Sequence, residues 1–508
     1  MRIGKGKIGN IWRMGVILFF CAVSLVLILN HEPWADEAQA WLIARDSNNL
    51  LQSVRYEVTP GLWHFILYPF AKAGMPYFTA QIIHFFIILA AVIIFVTKSP
   101  FTRLQKTFFI LGYYVIYEYN VIARSYVLTV LFLFLIADCY QKRYSKPLLY
   151  SILLFLLANC NLQSLFIAGC LAVSYWYELL ADKKNIFNNK YFSSLLIVCA
   201  GILFSVYQLL PPGDASLYRT GILAGTVKEA IGIIPVTIIG AFLPVPLIGL
   251  NFWNTKLFYS QYHPTIYFYF LAALLTLSII IFTFLFFLRF RKFMKLYLFL
   301  FGGMVALFLL KHHTTSRHQG LIFLVFIFLL WIAMREDKIS GENNITNRHY
   351  LQFLGSLLTG LLFLHVIGAA IAFHYELKYP FSSNKNIAAF LEKNNFAGKS
   401  TLIATYPSLP ALSILLYVHR KDFKLFCLES NRLCSFVILD KTFSSNRRLE
   451  FNDIKSRINN FMQKGKENYT NVLFITRRAV AAGNYKLIAY FDKAIAEGKR
   501  VYIYKLEQ

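Results

Sequence analysis

Long apolar runs separated by short polar breaks fill the chain from residue 14 to residue 373. A bilayer core about 30 Å thick needs roughly 20 mostly apolar residues per helix. The runs at 14–30, 80–97, 107–121, 124–139, 148–160, 164–180, 192–210, 265–288, 296–311, 320–334 and 352–373 are read as about eleven spans. A basic stretch precedes the first, and no small-x-small cleavage site lies before Asn30, so that span is read as uncleaved. A further apolar patch, Ile231 to Leu250, is broken by Pro235, Pro244 and Pro246 and is expected to be interfacial or re-entrant.

Charge placement supports that count. Arg2, Lys5, Lys7 and Arg13 precede the first span. Lys98, Arg103 and Lys106 follow the second, and Lys142, Arg143 and Lys146 the fourth. Lys183, Lys184 and Lys190 follow the sixth, Arg289, Arg291, Lys292 and Lys295 the eighth, and Arg335, Lys338 and Arg348 the tenth. Positive loops stay in the cytoplasm, so the alternate loops face outward: 31–79, 118–126, a turn near Asn161, 211–264, 311–320 and the whole C-terminus. A full crossing at 231–250 would invert every later loop.

After Phe373 the pattern shifts to alternating helix-like and strand-like pieces. NKNIAAFLEKNN, PSLPALSILLYV and RRLEFNDIKSRINNFMQKG read as helices; STLIATY, RLCSFVILD, NVLFITRR and KRVYIYKLE read as strands. The expected organisation is a multi-pass helical membrane domain, 1–373, and a small outward-facing α/β domain, 374–508, with a partly parallel sheet. No GxGxxG or P-loop marks a nucleotide site, so no nucleotide cofactor is expected.

Composition adds class and partners. The chain has 508 residues, 57% hydrophobic and 17% aromatic but only 15% charged, which is too few for a soluble domain. Its formal net charge of +26 suits anionic lipid head groups or phosphate-bearing substrates. Nucleic acid is a poor partner because much of that charge lies in short loops between spans. Of seven cysteines, five lie in apolar runs; Cys427 and Cys434 lie in the outward domain and would pair if the compartment oxidises.

Four stretches carry chemistry. In WADEA, after the first span, Asp36 and Glu37 fall in the first turn of a helix started by Pro33. They either complement the helix dipole or furnish a general base whose proton affinity is raised by desolvation. Trp34 and Trp41, about two turns apart, are expected to anchor that helix in the interface. In YEYNVIARSYVL, Glu118 and Arg124 sit at an outward join, where the arginine either snorkels or clamps phosphate. In KHHTTSRHQG, Lys311, His312, His313, Arg317 and His318 form a basic turn, a plain solvated loop or an anion site. Adjacent histidines do not share a face, which argues against a metal at His312 and His313. His64, in RYEVTPGLWH, is a packed histidine or a contributor to the site.

On WADEAQAWLIARDS, YEYNVIARSYVL and SRHQG, the sequence resembles the C-type (GT-C) superfamily of polyprenyl-phosphate-dependent glycosyltransferases. The likeness is to the branch of protein O-mannosyltransferases and lipid A aminoarabinose transferases, over residues 14–373. The resemblance implies that Asp36 is the base activating the acceptor, with Glu37 in support. It implies that Arg124 holds the donor phosphate, and that Arg317, His318 and the neighbouring Lys311 assist. Glu118 falls where relatives often keep an acid that orients substrate or binds metal; here it is Glu rather than Asp, and a divalent metal stays open. The implied reaction is inverting transfer from a polyprenyl-phosphate sugar to a glycan, lipid or protein acceptor, outside a bacterial inner membrane. A transporter or flippase for lipid-linked sugars, and an assembly protein, are the rival classes; paired halves and charges deep inside spans, typical of transporters, are missing from the sequence.

Overall fold

The computed structural model describes residues 5–507 except 58, 183–187, 216–226, 259–265, 312–314, 341–344, 421, 465–468, 481–483 and 497–499. Helix α1 (Lys5–Asn30) leads into three short helices, α2 (Ala35–Asp46), α3 (Leu50–Arg55) and α4 (Leu62–Lys72). Then follow α5 (Phe78–Lys98), α6 (Arg103–Ile110), α7 (Tyr126–Cys139), α8 (Pro147–Ala158), α9 (Leu162–Ala181) and α10 (Asn189–Leu209). The bundle is completed by α11 (Val227–Phe242), α12 (Ile266–Arg289), α13 (Arg291–Lys311), α14 (Ser316–Ser340) and α15 (Ile345–Lys378).

Among the described residues, eight of these helices (α1, α5, α9, α10, α12, α13, α14 and α15) are long and apolar enough to cross a membrane. The chain is a multi-pass helical membrane protein with a small C-terminal α/β domain. Three expected spans are built differently. The runs at 124–139 and 148–160 are the shorter α7 and α8, of 14 and 12 residues. The run at 107–121 is interrupted: α6 ends at Ile110, and one π-helical turn follows at Tyr114–Glu118. Gly112 sits in that break, where a Cβ would lie 2.9 Å from His365 on α15. Irregular backbone is tolerated at such depth only when protein covers it, and residues 113–119 are buried.

Helix α14 is the axis of the bundle. Its most apolar window is 83% buried, against 28–56% for the other seven, so whatever it carries at its start is rigidly placed. The described part of α11 packs inside the bundle too, with Ile238, Ile239, Ala241 and Phe242 fully covered and His365 Nε2 within 3.0 Å of the Phe242 carbonyl oxygen. The proline-broken patch, expected to be interfacial or re-entrant, is thus packed against the bundle in its described part.

The C-terminal domain holds a six-stranded sheet in the order β3-β2-β1-β4-β6-β5. The strands are β1 (Thr401–Tyr406), β2 (Leu425–Cys427), β3 (Arg432–Cys434), β4 (Asn471–Thr476), β5 (Tyr485–Phe491) and β6 (Val501–Leu506). Strand β1 pairs in parallel with β2 and β4, and the other pairings are antiparallel. Cys427 and Cys434 are joined by a disulfide across the β2–β3 hairpin. Helix α16 (Asn384–Lys393) lies beneath the sheet; α17 (Ser408–Ala411), α18 (Lys441–Ser445) and α19 (Phe451–Lys464) complete the domain.

Helix α2 lies between the two parts. Ala40, Trp41 and Ala44 join the bundle core, while Ala38 and Leu42 join the core formed by α16 and one face of the sheet. A helix covered all round needs small or apolar residues all round, and AQAWLIA supplies them. Gln39 seals the second contact: its side-chain amide donates to Val437 O (2.6 Å) and accepts from Val437 N (3.0 Å). Trp41 is therefore not an interface anchor; it is buried edge-on to Tyr77, 6.0 Å between rings.

Candidate functional site

The start of α2 presents two acids to two different places. Trp34 caps the helix, with its N–H donating to the Glu37 carboxylate at 2.9 Å. Successive helical residues are turned by 100°, so Asp36 and Glu37 cannot share a pocket.

Glu37 points into the bundle and is 1% exposed. Its carboxylate accepts from Ala123 N (2.7 Å) and Tyr77 Oη (3.2 Å) and pairs with His31 Nε2 (3.1 Å). The other ring nitrogen of His31 meets Glu376 Oε1 at 2.7 Å, and Tyr117 donates to Glu376 Oε2 at 2.7 Å. Burial alone would strip the His31 proton, but the carboxylates of Glu37 and Glu376 outweigh it and raise its pKa from 6.5 to about 10. Burial likewise raises Glu37, and the His31 imidazolium with the Trp34 and Ala123 amides more than reverses it, leaving Glu37 below the usual carboxylate range. The result is a dry ionic clamp joining the ends of α1, α2 and α15 to the 117–123 hinge. The expected supporting acid is thus buried, its carboxylate taken up by His31, Tyr77 and the backbone amides of Trp34 and Ala123.

Asp36 points the other way, toward two arginines. Arg317 Nη2, at the start of α14, lies 2.9 Å from Asp36 Oδ2. Arg124 Nη1, from the hinge, donates to Asp36 O at 2.5 Å and lies 3.9 Å from Oδ2. The three side chains keep 20%, 15% and 14% of their exposure for Asp36, Arg317 and Arg124, so the cluster is reachable rather than sealed. The sequence reading expected desolvation to raise Asp36. Burial does push it up, but Arg124 and then Arg317 overcome that and hold it below the usual aspartate range. In this state Asp36 is a firmly ionised carboxylate locked to guanidinium.

Hinge and helix interlock through neighbours: Ala123 binds Glu37 while Arg124 binds Asp36. Arg317 is also fixed by its backbone, whose carbonyl accepts from Tyr119 Oη at 2.6 Å, and its guanidinium lies 5.8 Å from the Trp34 ring centroid.

Glu118 lies behind this cluster, 2% exposed. Its Oε2 accepts from Tyr113 Oη (3.2 Å) and Trp253 Nε1 (3.3 Å), while Oε1 has no hydrogen-bond partner among the described residues. Lys256 adjoins, 6% exposed, with Nζ 3.5 Å from Ser316 Oγ. Burial pushes the Lys256 pKa down to about 8, although Glu118 pulls it back up.

The remaining sequence candidates make contacts of their own. His318 Nε2 is 2.8 Å from Tyr126 Oη, and its Nδ1 is 3.2 Å from Thr315 Oγ1, so it braces α14 against α7. His64 is buried against Glu57, Nε2 to Oε2 3.0 Å, on α4. Lys311 ends α13, but its side chain lies outside the described residues, as do His312 and His313. Among the described residues no three His, Cys, Asp or Glu side chains gather as a metal site.

Sequence reasoning missed His31, Glu376 and Lys256. A glutamate at the end of a long apolar helix, as in HYELK, is a signal that would have flagged Glu376. Nothing local distinguishes Lys256 from other loop lysines.

No family profile matches this chain, and no curated protein matches it in sequence. Among solved structures, ArnT from Cupriavidus metallidurans bound to undecaprenyl phosphate is similar over 96% of this chain and 98% of that one, with a TM-score of 0.47 and 11% identity. A likeness that distant transfers neither an activity nor a ligand, so the reading of the site rests on its own geometry.

Proposed function

We propose that the chain is an inverting glycosyltransferase that moves a sugar from a polyprenyl-phosphate carrier to an acceptor hydroxyl on the outer side of a membrane. The observation that carries this reading is the partly open Asp36–Arg317–Arg124 cluster, 2.9 Å and 3.9 Å between its charged atoms, at the end of the first apolar helix. Two guanidinium forks suit a phosphodiester better than lysines would, because each matches two oxygens and keeps its charge. A lipid-linked donor also accounts for a phosphate site without a nucleotide motif.

The donor phosphate competes with Asp36 for Arg124 and Arg317. As the guanidinium groups turn to phosphate oxygens, Asp36 loses the partners that hold its proton affinity down and becomes a stronger base. The acceptor oxygen then attacks the anomeric carbon. Its proton passes to Asp36, the new C–O bond forms, and the old bond's electrons leave on the phosphate oxygen. The arginines meet that charge in a partly dry site, where such contacts count most. A single displacement inverts the anomeric centre. Glu37 acts as a positioning residue, and Glu118 orients the sugar.

Two features favour an outward site. Basic loops alternate with the loops that carry Asp36, Arg124 and Arg317. The Cys427–Cys434 bridge fits a C-terminal domain in an oxidising compartment such as a periplasm. The test is reconstitution in proteoliposomes with radiolabelled polyprenyl-phosphate sugar and cell-envelope acceptors. Label moving to acceptor supports the proposal. Label crossing the bilayer on its lipid makes the chain a flippase, and label that does neither leaves an assembly role.

A further inference from the structure

Directly behind Arg317 lies a patch of buried polar groups that the fold leaves short of partners. Among the described residues Glu118 Oε1 has none, and neither amide atom of Gln319 has one. Lys256, with three N–H donors, makes one long contact to Ser316 at 3.5 Å. Gln319 is fully buried and Glu118 and Lys256 nearly so. These groups come from three elements: the π-helical turn, the 250–257 loop and the first turn of α14.

Lys256 and Gln319 converge on one spot, and Glu118 is near enough to act on the Lys256 charge. A Cβ on Gly240 would lie 2.1 Å from Gln319 Oε1 and 2.2 Å from Lys256 Cε, so the two side chains meet over that glycine. Ser316 and Gln319, three apart on α14, share a face. Trp253 donates to Glu118 and stands edge-on to Trp34, 5.0 Å between rings, which links the patch to the Asp36 side. Folded proteins rarely leave so many buried polar atoms open in one place without a ligand or water there.

The mixture of groups selects the ligand. An anion would call for donors alone, and a cation for acceptors alone. Here Lys256 donates, Glu118 accepts and Gln319 does both, beside an indole. Sugar hydroxyls both donate and accept, and sugar rings lie well against indole. We propose that Lys256, Gln319 and Glu118 form the subsite for the sugar ring of the lipid-linked donor, with Lys256 and Gln319 as its specificity residues. This assignment rests on the glycosyltransferase reading above; it adds where the sugar sits and which residues discriminate it.

The test separates sugar recognition from phosphate recognition. Wild type, Lys256→Met and Gln319→Leu are reconstituted in nanodiscs. Affinities are measured for bare undecaprenyl phosphate and for a panel of undecaprenyl-phosphate hexoses and pentoses. Wild type should bind its preferred sugar lipid at least tenfold more tightly than the bare lipid. In both variants that preference should fall to within about twofold of unity, while affinity for the bare lipid stays within twofold of wild type and so reports an intact fold. A preference that persists in both variants overturns the subsite and identifies the patch as a water cluster only. A rise in acceptor KM without loss of donor preference also overturns it, by giving the patch to the acceptor. Wild type that binds neither lipid overturns the parent reading, and the subsite with it. Should Lys256→Met lose bare-lipid binding through misfolding, Gln319→Leu decides, since it removes the amide with little change of volume.

Discussion

Replacing His31 with Gln removes the cation from the clamp between Glu37 and Glu376. The fold raises the His31 pKa from 6.5 to about 10, which at about 1.4 kcal/mol for each tenfold change amounts to about 5 kcal/mol of extra proton binding. The same scale, about 3–5 kcal/mol, is typical for deleting one partner of a buried ion pair. Because the folded pKa is the higher one, this stabilisation is whole below pH 6.5 and is lost as pH rises through about 10. Glu37 is lowered instead, so its contribution is present above the ordinary glutamate range and is lost as pH falls through its depressed value. In His31→Gln the two carboxylates lie unpaired and are relieved by taking up protons. The deficit against wild type should therefore peak near pH 6.5 to 7, shrinking toward pH 5 as the carboxylates take up protons and falling steadily from there toward pH 10 as the His31 contribution is lost. Thermal unfolding in nanodiscs, followed by tryptophan fluorescence across that range, reads it. A deficit that is flat with pH, or smaller than about 1 kcal/mol, refutes the charged clamp.

Arg317→Ala should weaken undecaprenyl phosphate binding roughly tenfold to a hundredfold, the scale of about 1.5–3 kcal/mol for a charge-assisted hydrogen bond, as measured by titration in nanodiscs. Arg317→Gln should also move the acidic limb of kcat/KM to higher pH, because Asp36 is held down by Arg124 and Arg317. Gly240→Ala should separate Lys256 from Gln319 and reduce donor-sugar preference more than bare-lipid binding, since its Cβ has no room beside either. The Cys427–Cys434 bridge closes no long loop, its partners being only seven positions apart, and its removal should cost the C-terminal domain about 2 kcal/mol. In intact cells those thiols should accept an impermeant maleimide only after reduction.

Much of the fold was legible because its signals are local. Hydrophobic length marks α1, α5, α9, α10, α12, α13, α14 and α15, and the strands β1, β4 and β6 announce themselves as Val/Ile/Tyr-rich runs. Strands β2 and β5 did not: β2 is three residues long, and YKLIAYF mixes lysine into an edge strand. The interruption at 111–113 was invisible, since its cause is the crossing of α15 at Gly112. At the site, the residue types around Asp36 were readable, but their pairing was not. Solvation arguments alone send an aspartate's pKa up, and only the fold brings Arg317 from 281 positions away to send it down. Glu37 looked like a partner of Asp36 by adjacency, whereas helical geometry turns it to His31.

Asp36→Asn is the most direct test of the central claim, with transfer and binding measured on the same reconstituted sample. The amide cannot take the acceptor's proton, and it no longer competes for Arg317. Sugar transfer should be abolished while undecaprenyl phosphate binds at least as tightly as to wild type. Turnover near the wild-type rate would contradict the assignment of Asp36 as the base.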